Sequence, residues 1–185
     1  LFALGFTKEK IIQTFYTTNK YSYDSEKKNW ITNFNPDDYK RPIKLSYDLI
    51  DSTNGKKVLS KGEKLNIVIA KKIQEKGLKS ISISNEEVVG KYIAQDVLDK
   101  NKEIIVSAGH DITEEQLNKI INNEEKSINI VNIDPINKGP YILETLKIDK
   151  NSNKSDALND IYKVLRPGEA PSIEIADEVF NNLYF

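Results

Sequence analysis

Segments with apolar residues at helical spacing lie at both ends of the chain, and apolar and polar residues alternate in the middle. The first helical pattern follows Thr7, a residue type that often caps helices, and places Ile11, Ile12 and Phe15 at helical spacing. The aromatic residues of KYSYDSEKKNWITNF flank a polar turn and predict a β-hairpin. The next stretch, NPDDYKRP, carries two prolines and predicts a loop.

The middle of the chain contains an internal repeat, residues 48–84 and 96–131. Each copy predicts a strand pair, a glycine turn, a capped helix and an alternating strand, in the order ββαβ. Such a unit cannot bury its apolar face alone, so we expect the two copies to pack face to face. Between them, NEEVVGKYIAQ predicts a short strand that bends at Gly90. The matched pairs include Asp48 and Asp96, Asp51 and Asp99, Ser60 and Ser107, and Gly62 and Gly109.

Beyond residue 139 the pattern changes again. The stretch ILETLKIDK predicts a strand, and two amphipathic helices are predicted after it, capped at Ser155 and Ser172. The first of these helices is expected to turn five residues inward: Ala157, Leu158, Ile161, Tyr162 and Leu165. The second has four apolar residues at helical spacing: Ile175, Val179, Phe180 and Leu183.

Composition narrows the function classes. The 185 residues are 38% hydrophobic and 30% charged, with a formal net charge of -1, so any contact with nucleic acid must be local. The chain has no cysteine, which excludes disulfides, thiolate metal sites and a cysteine nucleophile. No apolar run has the length of a membrane span. The chain starts without methionine and ends on NNLYF, which we interpret as a piece of a longer protein.

Most of the residues that could take part in catalysis or binding are explained better by a structural role. The only histidine, His110, follows a glycine in a turn and is interpreted as a solvated turn residue. Adjacent acidic pairs such as Glu114-Glu115 fit helix starts better than acid–base dyads, although an independent hydrolase stays an alternative. A lysine cluster could contact phosphates, but a solvated turn is favoured because the second copy lacks it. The cluster consists of Lys56, Lys57, Lys61 and Lys64.

Arg166 stands out because the chain has only two arginines among its many lysines. Pro167 disfavours helical geometry in the residue before it, so Arg166 is predicted to end its helix, with Gly168 and Pro171 stiffening the joint. An arginine at a helix C-terminus stabilises the helix dipole, and it could also pair with Glu169 or Asp160. A guanidinium on a stiff turn is also suited to a phosphate or base edge. From the residues alone, the helix cap is the favoured interpretation.

The stretch GPYILETLKIDKNSNKSDALNDIYKVLRPGEAPSIEIADEVFNNLYF resembles the lobe region of bacterial RNA polymerase β subunits. The shared pattern consists of GPYI, ETL, an AL…IY helix, RPGE and a final NLYF. The chain differs at Ala170-Pro171-Ser172, where the family often has Pro-Pro-Thr. The opening LFALGFTKEKIIQTF resembles the segment that leads into the insertion of the lobe. The repeats resemble the lineage-specific insert of proteobacterial β subunits.

This resemblance implies an α+β fold in which a duplicated ββαβ insert is flanked by lobe helices. The implied divisions are 1–20, a lobe segment; 21–138, the insert; and 139–185, a lobe strand and helical hairpin. The implied function is one non-catalytic jaw of the downstream DNA channel, in a cytoplasmic enzyme. The implied partners are the β′, α, ω and sigma subunits and promoter and downstream DNA, without a membrane. No cofactor is expected in this chain, since the magnesium of the enzyme is bound elsewhere.

Carried over residue by residue, the RPGE arginine of the family corresponds to Arg166, which lies on the side facing the channel. The resemblance therefore favours a DNA-facing role for Arg166 over a simple helix cap. Lys163, on the same helix, is the second candidate for nucleic-acid binding. The alternative is a protein–protein docking module for transcription regulators with no direct DNA contact.

Overall fold

The computed structural model describes residues 1–123, 126–133, 139–169 and 172–185. The chain divides into two compact units. The first unit joins the two ends of the chain, Leu1–Phe15 and Pro140–Phe185, and the second unit is Tyr16–Gly139. The mixture of helices and mainly antiparallel sheet confirms the predicted α+β class.

Helices and strands occur in the following order in the described residues. The α-helices are α1 (Lys8–Phe15), α2 (Ile67–Glu75), α3 (Asn85–Val88), α4 (Glu114–Ile121), α5 (Tyr141–Ile148), α6 (Lys154–Leu165) and α7 (Ile173–Tyr184). The strands are β1 (Thr18–Asp24), β2 (Asn29–Asn33), β3 (Ile43–Lys44), β4 (Leu49–Asp51), β5 (Lys57–Leu59), β6 (Lys64–Leu65), β7 (Ser80–Ile83), β8 (Val97–Leu98), β9 (Ile104–Val106) and β10 (Ser127–Val131). Short 3-10 helices span Phe2–Leu4 and Pro36–Tyr39.

The second unit is built on an antiparallel sheet with the strand order β10-β1-β2-β7-β4-β5. The predicted β1–β2 hairpin lies between β10 and β7, the last strands of the two repeats. The first repeat contributes β4, β5 and β7 to this sheet and the second repeat only β10, since β8 and β9 pair separately, which differs from the expected face-to-face packing. Their apolar helix faces share one core, because Ala70 and Ile73 of α2 belong to the same buried cluster as Leu117 and Ile120 of α4.

The two repeats share hydrogen bonds at equivalent positions, as the predicted duplication implies. The carboxylate of Asp48 accepts from the N–H of Lys61 and that of Asp96 from the N–H of Ala108, both at 2.7 Å. The match extends beyond the predicted start of the repeats. In both copies the turn glycine donates to a preceding strand at 2.8 Å, from Gly62 to Leu45 and from Gly109 to Ile93.

The predicted helix caps of the repeats are confirmed. Asn66 accepts from the N–H of Ile69 at the start of α2, and Thr113 and Gln116 form a capping box at the start of α4.

The linking segment was predicted as a bent strand, and this is right only in part. It begins with the helix α3, whereas Tyr92 and Ile93, after the left-handed Gly90, form β-bridges with Asp111 and Ile130. Ser84 and Glu87 form a capping box at the start of α3, and this local bonding favours a helical turn over an extended strand.

The first unit consists of helices, and two predictions for it are wrong. The stretch predicted as a strand after residue 139 is the helix α5, which buries Leu143 and Leu146 at a spacing of three residues. The helix α6 begins earlier than predicted, because the side chain of Asn153, and not that of Ser155, accepts from the N–H of Asp156. The predicted cap at Ser172 is confirmed by its bond from the N–H of Ile175 at 3.4 Å.

Fewer side chains of α6 and α7 are buried than the sequence predicted. Ala157, Leu158 and Tyr162 of α6 are buried as expected, whereas Leu165 is 48% exposed. On α7 the buried residues are Ala176 and Phe180. Ile175 and Leu183 had been placed in the same apolar stripe, and they are exposed by 48% and 56%.

The hydrogen bonds of Asp51 predict that the turn after β4 in the first repeat loses stability in acid. Its carboxylate accepts from the N–H and hydroxyl of Thr53 at 2.8 and 2.6 Å and from the amide of Asn54 at 2.8 Å. The bonds from Thr53 are the main reason that the pKa of Asp51 lies below 3.8. Because the folded pKa is lowered, this stabilisation is complete above the unfolded pKa and is lost as the pH falls through the folded pKa.

We therefore expect Asp51→Asn to lower the urea midpoint near neutral pH and to flatten its decline in acid. Urea titrations at a series of pH values from neutral to below the unfolded pKa measure both effects. Thr53→Ala, which removes the largest cause of the pKa shift, should flatten the decline partly. An equally steep decline in the wild type and in Asp51→Asn would contradict this explanation.

Candidate nucleic-acid interface

Helix α6 ends at Arg166, as the sequence predicts. The N–H of Arg166 donates to the carbonyl of Tyr162 at 2.8 Å, and its φ of -131° and ψ of 78° leave the helical region. Pro167 causes this end, because the ring of a proline clashes with a helical conformation of the residue before it. Arg166 is therefore fixed by the last hydrogen bond of the helix on one side and by a proline on the other.

The chain turns sharply directly after Pro167. Gly168 has a φ of +91°, in the left-handed region where side chains with a Cβ are strained. The N–H of Glu169 donates back to the carbonyl of Arg166 at 3.4 Å, so the turn folds over the end of the helix. The further stiffening predicted from Pro171 lies outside the described residues.

The turn places three side chains together at the end of α6. The guanidinium of Arg166 lies 5.9 Å from the ring centre of Tyr162, and its Nη1 is 3.9 Å from Oε2 of Glu169. The same Oε2 accepts a hydrogen bond of 2.7 Å from the hydroxyl of Tyr162. The ring of Tyr162 is buried, and the hydrogen bond from its hydroxyl keeps the carboxylate of Glu169 beside the joint. The geometry selects Glu169 as the partner of Arg166, one of the two partners predicted.

Asp160, the other predicted partner, pairs with the second candidate residue. Lys163 Nζ lies 3.8 Å from Oδ1 of Asp160 on the same face of α6. The side chains of Arg166 and Lys163 are 56% and 64% exposed. Exposed ion pairs of this kind contribute little in water, so both cations can exchange their partners. The joint carries two acids and two bases, so its net charge is zero. It offers two individual cationic side chains rather than a broad positive field.

Tyr162 is the residue whose functional contact sequence reasoning missed. The sequence placed its ring correctly in the core but did not indicate that its hydroxyl reaches Glu169. The available signal was spacing, since residues four apart on a helix lie on the same face. That rule places the ring of Tyr162 directly beneath the side chain of Arg166 at the helix end.

His110 lies in a tighter environment than the predicted solvated turn. Its backbone N–H donates to the carbonyl of Ser107 at 3.1 Å, and Nδ1 is enclosed with no hydrogen-bond partner among the residues that the structure describes. The described residues contain no group of three or more histidine, cysteine, aspartate or glutamate side chains that could hold a metal ion. In the same part of the chain, no helix is long and apolar enough to cross a membrane.

The first unit contains a cavity of about 470 Å³ that bears on the hydrolase alternative. Its lining is mainly apolar and includes two carboxylates, Asp149 and Asp160. Asn151 connects them, because its N–H donates to Asp149 at 2.9 Å and its side-chain amide donates to Asp160 at 3.1 Å. An amide that satisfies both carboxylates favours a structural role over an acid–base pair. The apolar lining includes Leu1, Phe2, Ile161, Val164 and Leu165.

No family model matches the chain. Curated proteins match it from end to end, and those compared here are named DNA-directed RNA polymerase subunit beta. A protein of Rhizobium leguminosarum bv. trifolii is 39% identical over 186 residues and covers 100% of the chain. One of Ehrlichia canis is 40% identical over 184 residues, or 99% of the chain. One of Cereibacter sphaeroides is 34% identical over 197 residues, or 100% of the chain.

The chain belongs to the DNA-directed RNA polymerase β subunit family. The match confirms the resemblance to RNA polymerase β subunits, and it covers both units, including the repeats. The chain spans 13–14% of the length of these β subunits and corresponds to a segment of the subunit.

Proposed function

We propose that this β-subunit segment forms part of the lobe, a non-catalytic jaw beside the downstream DNA channel. The helices of the first unit belong to the lobe, and the repeats of the second unit form its insert, within the divisions 1–20, 21–138 and 139–185. Its partners are then the β′, α, ω and sigma subunits and promoter and downstream DNA. The magnesium of the enzyme is held by other residues, and the assembly works in the cytoplasm.

The observation that carries the DNA-facing role is the rigid presentation of Arg166. A guanidinium has five donors in a planar fork that matches the oxygens of a phosphate. Pro167 and the left-handed Gly168 hold the backbone of the joint, and the ring of Tyr162 supports the side chain from below. A side chain held in this way loses less conformational freedom when it binds an anion than one on a flexible loop.

Glu169 and Asp160 are the carboxylates with which a phosphate must compete for Arg166 and Lys163. In the free segment each cation has one exposed carboxylate within 4 Å. A phosphate that approaches the joint can replace the carboxylate as the partner of the guanidinium. Lys163, one turn earlier on the same helix, then provides a second positive charge toward the same backbone. The acids keep the joint neutral without DNA and limit binding of other anions.

In assembled polymerase we expect Arg166→Ala to shorten the lifetime of promoter complexes about tenfold to a hundredfold. This range corresponds to the loss of one hydrogen-bonded contact between charged groups, about 1.5–3 kcal/mol. Filter binding of open complexes after a competitor challenge measures the lifetime, and gel filtration of the variant enzyme checks assembly. Arg166→Lys should recover only part of the lifetime, because an ammonium cannot bind a phosphate through a planar fork.

Lys154→Ala is the matched control, since Lys154 starts the same helix and pairs with Asp177 at 2.8 Å, at the opposite end from the joint. It should leave the lifetime unchanged. Lys163→Ala should shorten it less than Arg166→Ala. Unchanged promoter complexes in Arg166→Ala, with normal assembly, would refute DNA contact at the joint.

One observation favours the alternative of a protein-docking module. Several large apolar side chains of the first unit are more than half exposed, which is typical of surfaces that meet another protein. They include Tyr141, Ile148, Val164, Ile173, Leu183 and Phe185. In that case the joint would serve as a helix cap, and Arg166→Ala would affect stability of the helix end without an effect on promoter complexes.

A further inference from the structure

A second group of cations lies in the second unit, away from the joint of α6 in the sequence. The strands β3 and β6 form a separate two-stranded sheet in which Lys44 is directly opposite Lys64. Arg41 lies two residues before β3, and Lys61 lies in the turn before β6. All four side chains are exposed. We call Arg41, Lys44, Lys61 and Lys64 the basic ribbon.

Backbone contacts bring the turn that carries Lys61 against β3. The N–H of Gly62 donates to the carbonyl of Leu45 at 2.8 Å, and the N–H of Leu45 donates to Glu63 at 2.9 Å. A methyl group on Gly62 would lie 3.9 Å from Cε of Lys44. The side chain of Lys44 therefore runs along the turn, next to Lys61. Sequence reasoning grouped only the lysines between 56 and 64 and missed the contribution of Arg41 and Lys44.

The ribbon has a cost that its own neighbours offset only in part. Like charges directly opposite each other in an antiparallel pair are destabilising. Two acids lie nearby: Glu63 accepts from the N–H of Ser60, and Asp48 accepts from Lys57 and from the N–H of Lys61 and interacts favourably with the charge of Lys61. Within the described residues, none of the four cations forms an ion pair within 4.0 Å.

The second repeat shows that the fold itself does not require these cations. Its hydrogen bonds match Gly109 to Gly62 and Ile93 to Leu45, so the counterparts of the ribbon residues follow by counting. The counterparts of Lys44, Lys61 and Lys64 are Tyr92, Ala108 and Asp111. Tyr92 and Asp111 form the equivalent antiparallel bridge, with no lysine at any of the three positions. The charge is therefore a feature of the first copy and not of the backbone that both copies share.

We propose that the basic ribbon is a binding surface for the phosphate backbone of duplex DNA. The four cations supply attraction without base recognition, and the fork of Arg41 suits a phosphate better than a point charge does. The surface lies in the second unit and extends DNA contact beyond the joint of α6. The choice of DNA as the polyanion rests on the proposed function.

Salt dependence of DNA binding by the 185-residue chain tests the ribbon. Four neutralised phosphates predict a slope of about -3.6 for log affinity against log salt, or about a 150-fold loss of affinity between 50 and 200 mM salt. Fluorescence anisotropy with a labelled duplex measures the slope. Combining Arg41→Gln, Lys44→Gln, Lys61→Gln and Lys64→Gln should abolish most of it, and Lys44→Gln with Lys64→Gln should remove about half.

The matched control removes four other exposed lysines of the second unit by Lys20→Gln, Lys76→Gln, Lys102→Gln and Lys119→Gln. This control variant lowers the net charge by as much as the ribbon variant does and should preserve most of the slope of log affinity against log salt. Trp30 fluorescence and circular dichroism confirm folding of each variant. Equal slopes for the ribbon and control variants would overturn the proposal. So would binding of polyglutamate with the same slope while duplex DNA does not bind, because the surface would then fit an acidic protein.

The outcome is separable from the test of Arg166. In this assay Arg166→Ala should change the slope by at most about one, the value for a single phosphate contact. Equal salt slopes for the ribbon and control variants, with an intact effect of Arg166→Ala on promoter complexes, would leave the joint in place and reject the ribbon. The reverse result would support the ribbon and reject the joint.

Discussion

Trp30→Ala is expected to destabilise the second unit by about 3–5 kcal/mol, which is the usual cost of removing a large aromatic side chain from a core. Trp30 is fully buried on β2, next to the centre of the sheet, and its ring centre lies 5.2 Å from that of Tyr23. Its indole N–H donates to the side chain of Asn85 at 3.1 Å, so the ring also ties β2 to α3. Domains are stable by about 5–15 kcal/mol, so this loss brings the unit close to unfolding.

Urea unfolding followed by far-UV circular dichroism measures the effect, since the variant has no tryptophan left. Trp30→Phe keeps much of the apolar volume and should cost clearly less. Asn85→Ala removes only the acceptor and leaves one buried N–H unpaired, at a cost of about 1–3 kcal/mol. If Trp30→Ala cost no more than Asn85→Ala, burial of the ring would not be the main contribution and our account of the core would be wrong.

Short-range rules account for what the sequence predicted correctly. The β1–β2 hairpin depends on a local turn, and the caps at Asn66, Thr113 and Ser172 depend on residues only three positions apart. The duplication was visible because both copies keep the side chains that bond their turns, such as Asp48 and Asp96. The family resemblance rested on the motifs of the carboxyl-terminal segment and is confirmed by the end-to-end matches.

The errors arise where the sequence carries a weak or ambiguous period. The segment that forms α5 is short and rich in apolar residues, and such runs fit a strand or a buried helix equally well. The helix α3 is a single turn, too short to show any period. Packing also decides which side of an amphipathic helix is covered, so Leu165 and Ile175 stay exposed although their spacing is helical.

Short-range rules also predict part of the candidate sites, and the rest of the sites depends on tertiary structure. The position of Arg166 at the helix end could be predicted because Pro167 acts on its immediate neighbour. Its contact with the ring of Tyr162 follows from their spacing of four residues, whereas the bond from Tyr162 to Glu169 depends on the turn at Gly168, whose conformation no pattern predicts. The basic ribbon depends on β3 and β6, strands of two residues each that lie some twenty positions apart. Such short strands give no alternation, so only the structure brings their cations together.

Tyr162→Ala is expected to destabilise the first unit by about 3–5 kcal/mol, similar to the loss of other buried aromatic residues. Its side chain is only 3% exposed and lies in the core between α6 and the rest of the unit. The same change removes the ring beneath the guanidinium of Arg166 and the hydroxyl that holds Glu169. Loss of stability and loss of order at the joint should therefore occur together in this variant.

Two substitutions separate the contributions. Tyr162→Phe keeps the ring and loses only the hydrogen bond to Glu169, so it should cost about 0.5–1.5 kcal/mol. Tyr141→Ala is the matched control, because Tyr141 belongs to the same unit and is 74% exposed, and exposed substitutions usually change stability by less than about 0.5 kcal/mol. Circular dichroism follows the helices of both units, whereas Trp30 fluorescence follows the second unit alone.

Tyr162→Ala should shift the circular dichroism transition to lower urea and leave the Trp30 transition in place. A joint shift of both transitions would show that the second unit depends on the core around Tyr162, contrary to the separate cores assigned here. In assembled polymerase, Tyr162→Phe tests the joint with the core intact. If the hydroxyl positions Glu169 and thereby Arg166, this variant should shorten promoter-complex lifetime, and combining it with Arg166→Ala should add little, because both act through the same guanidinium.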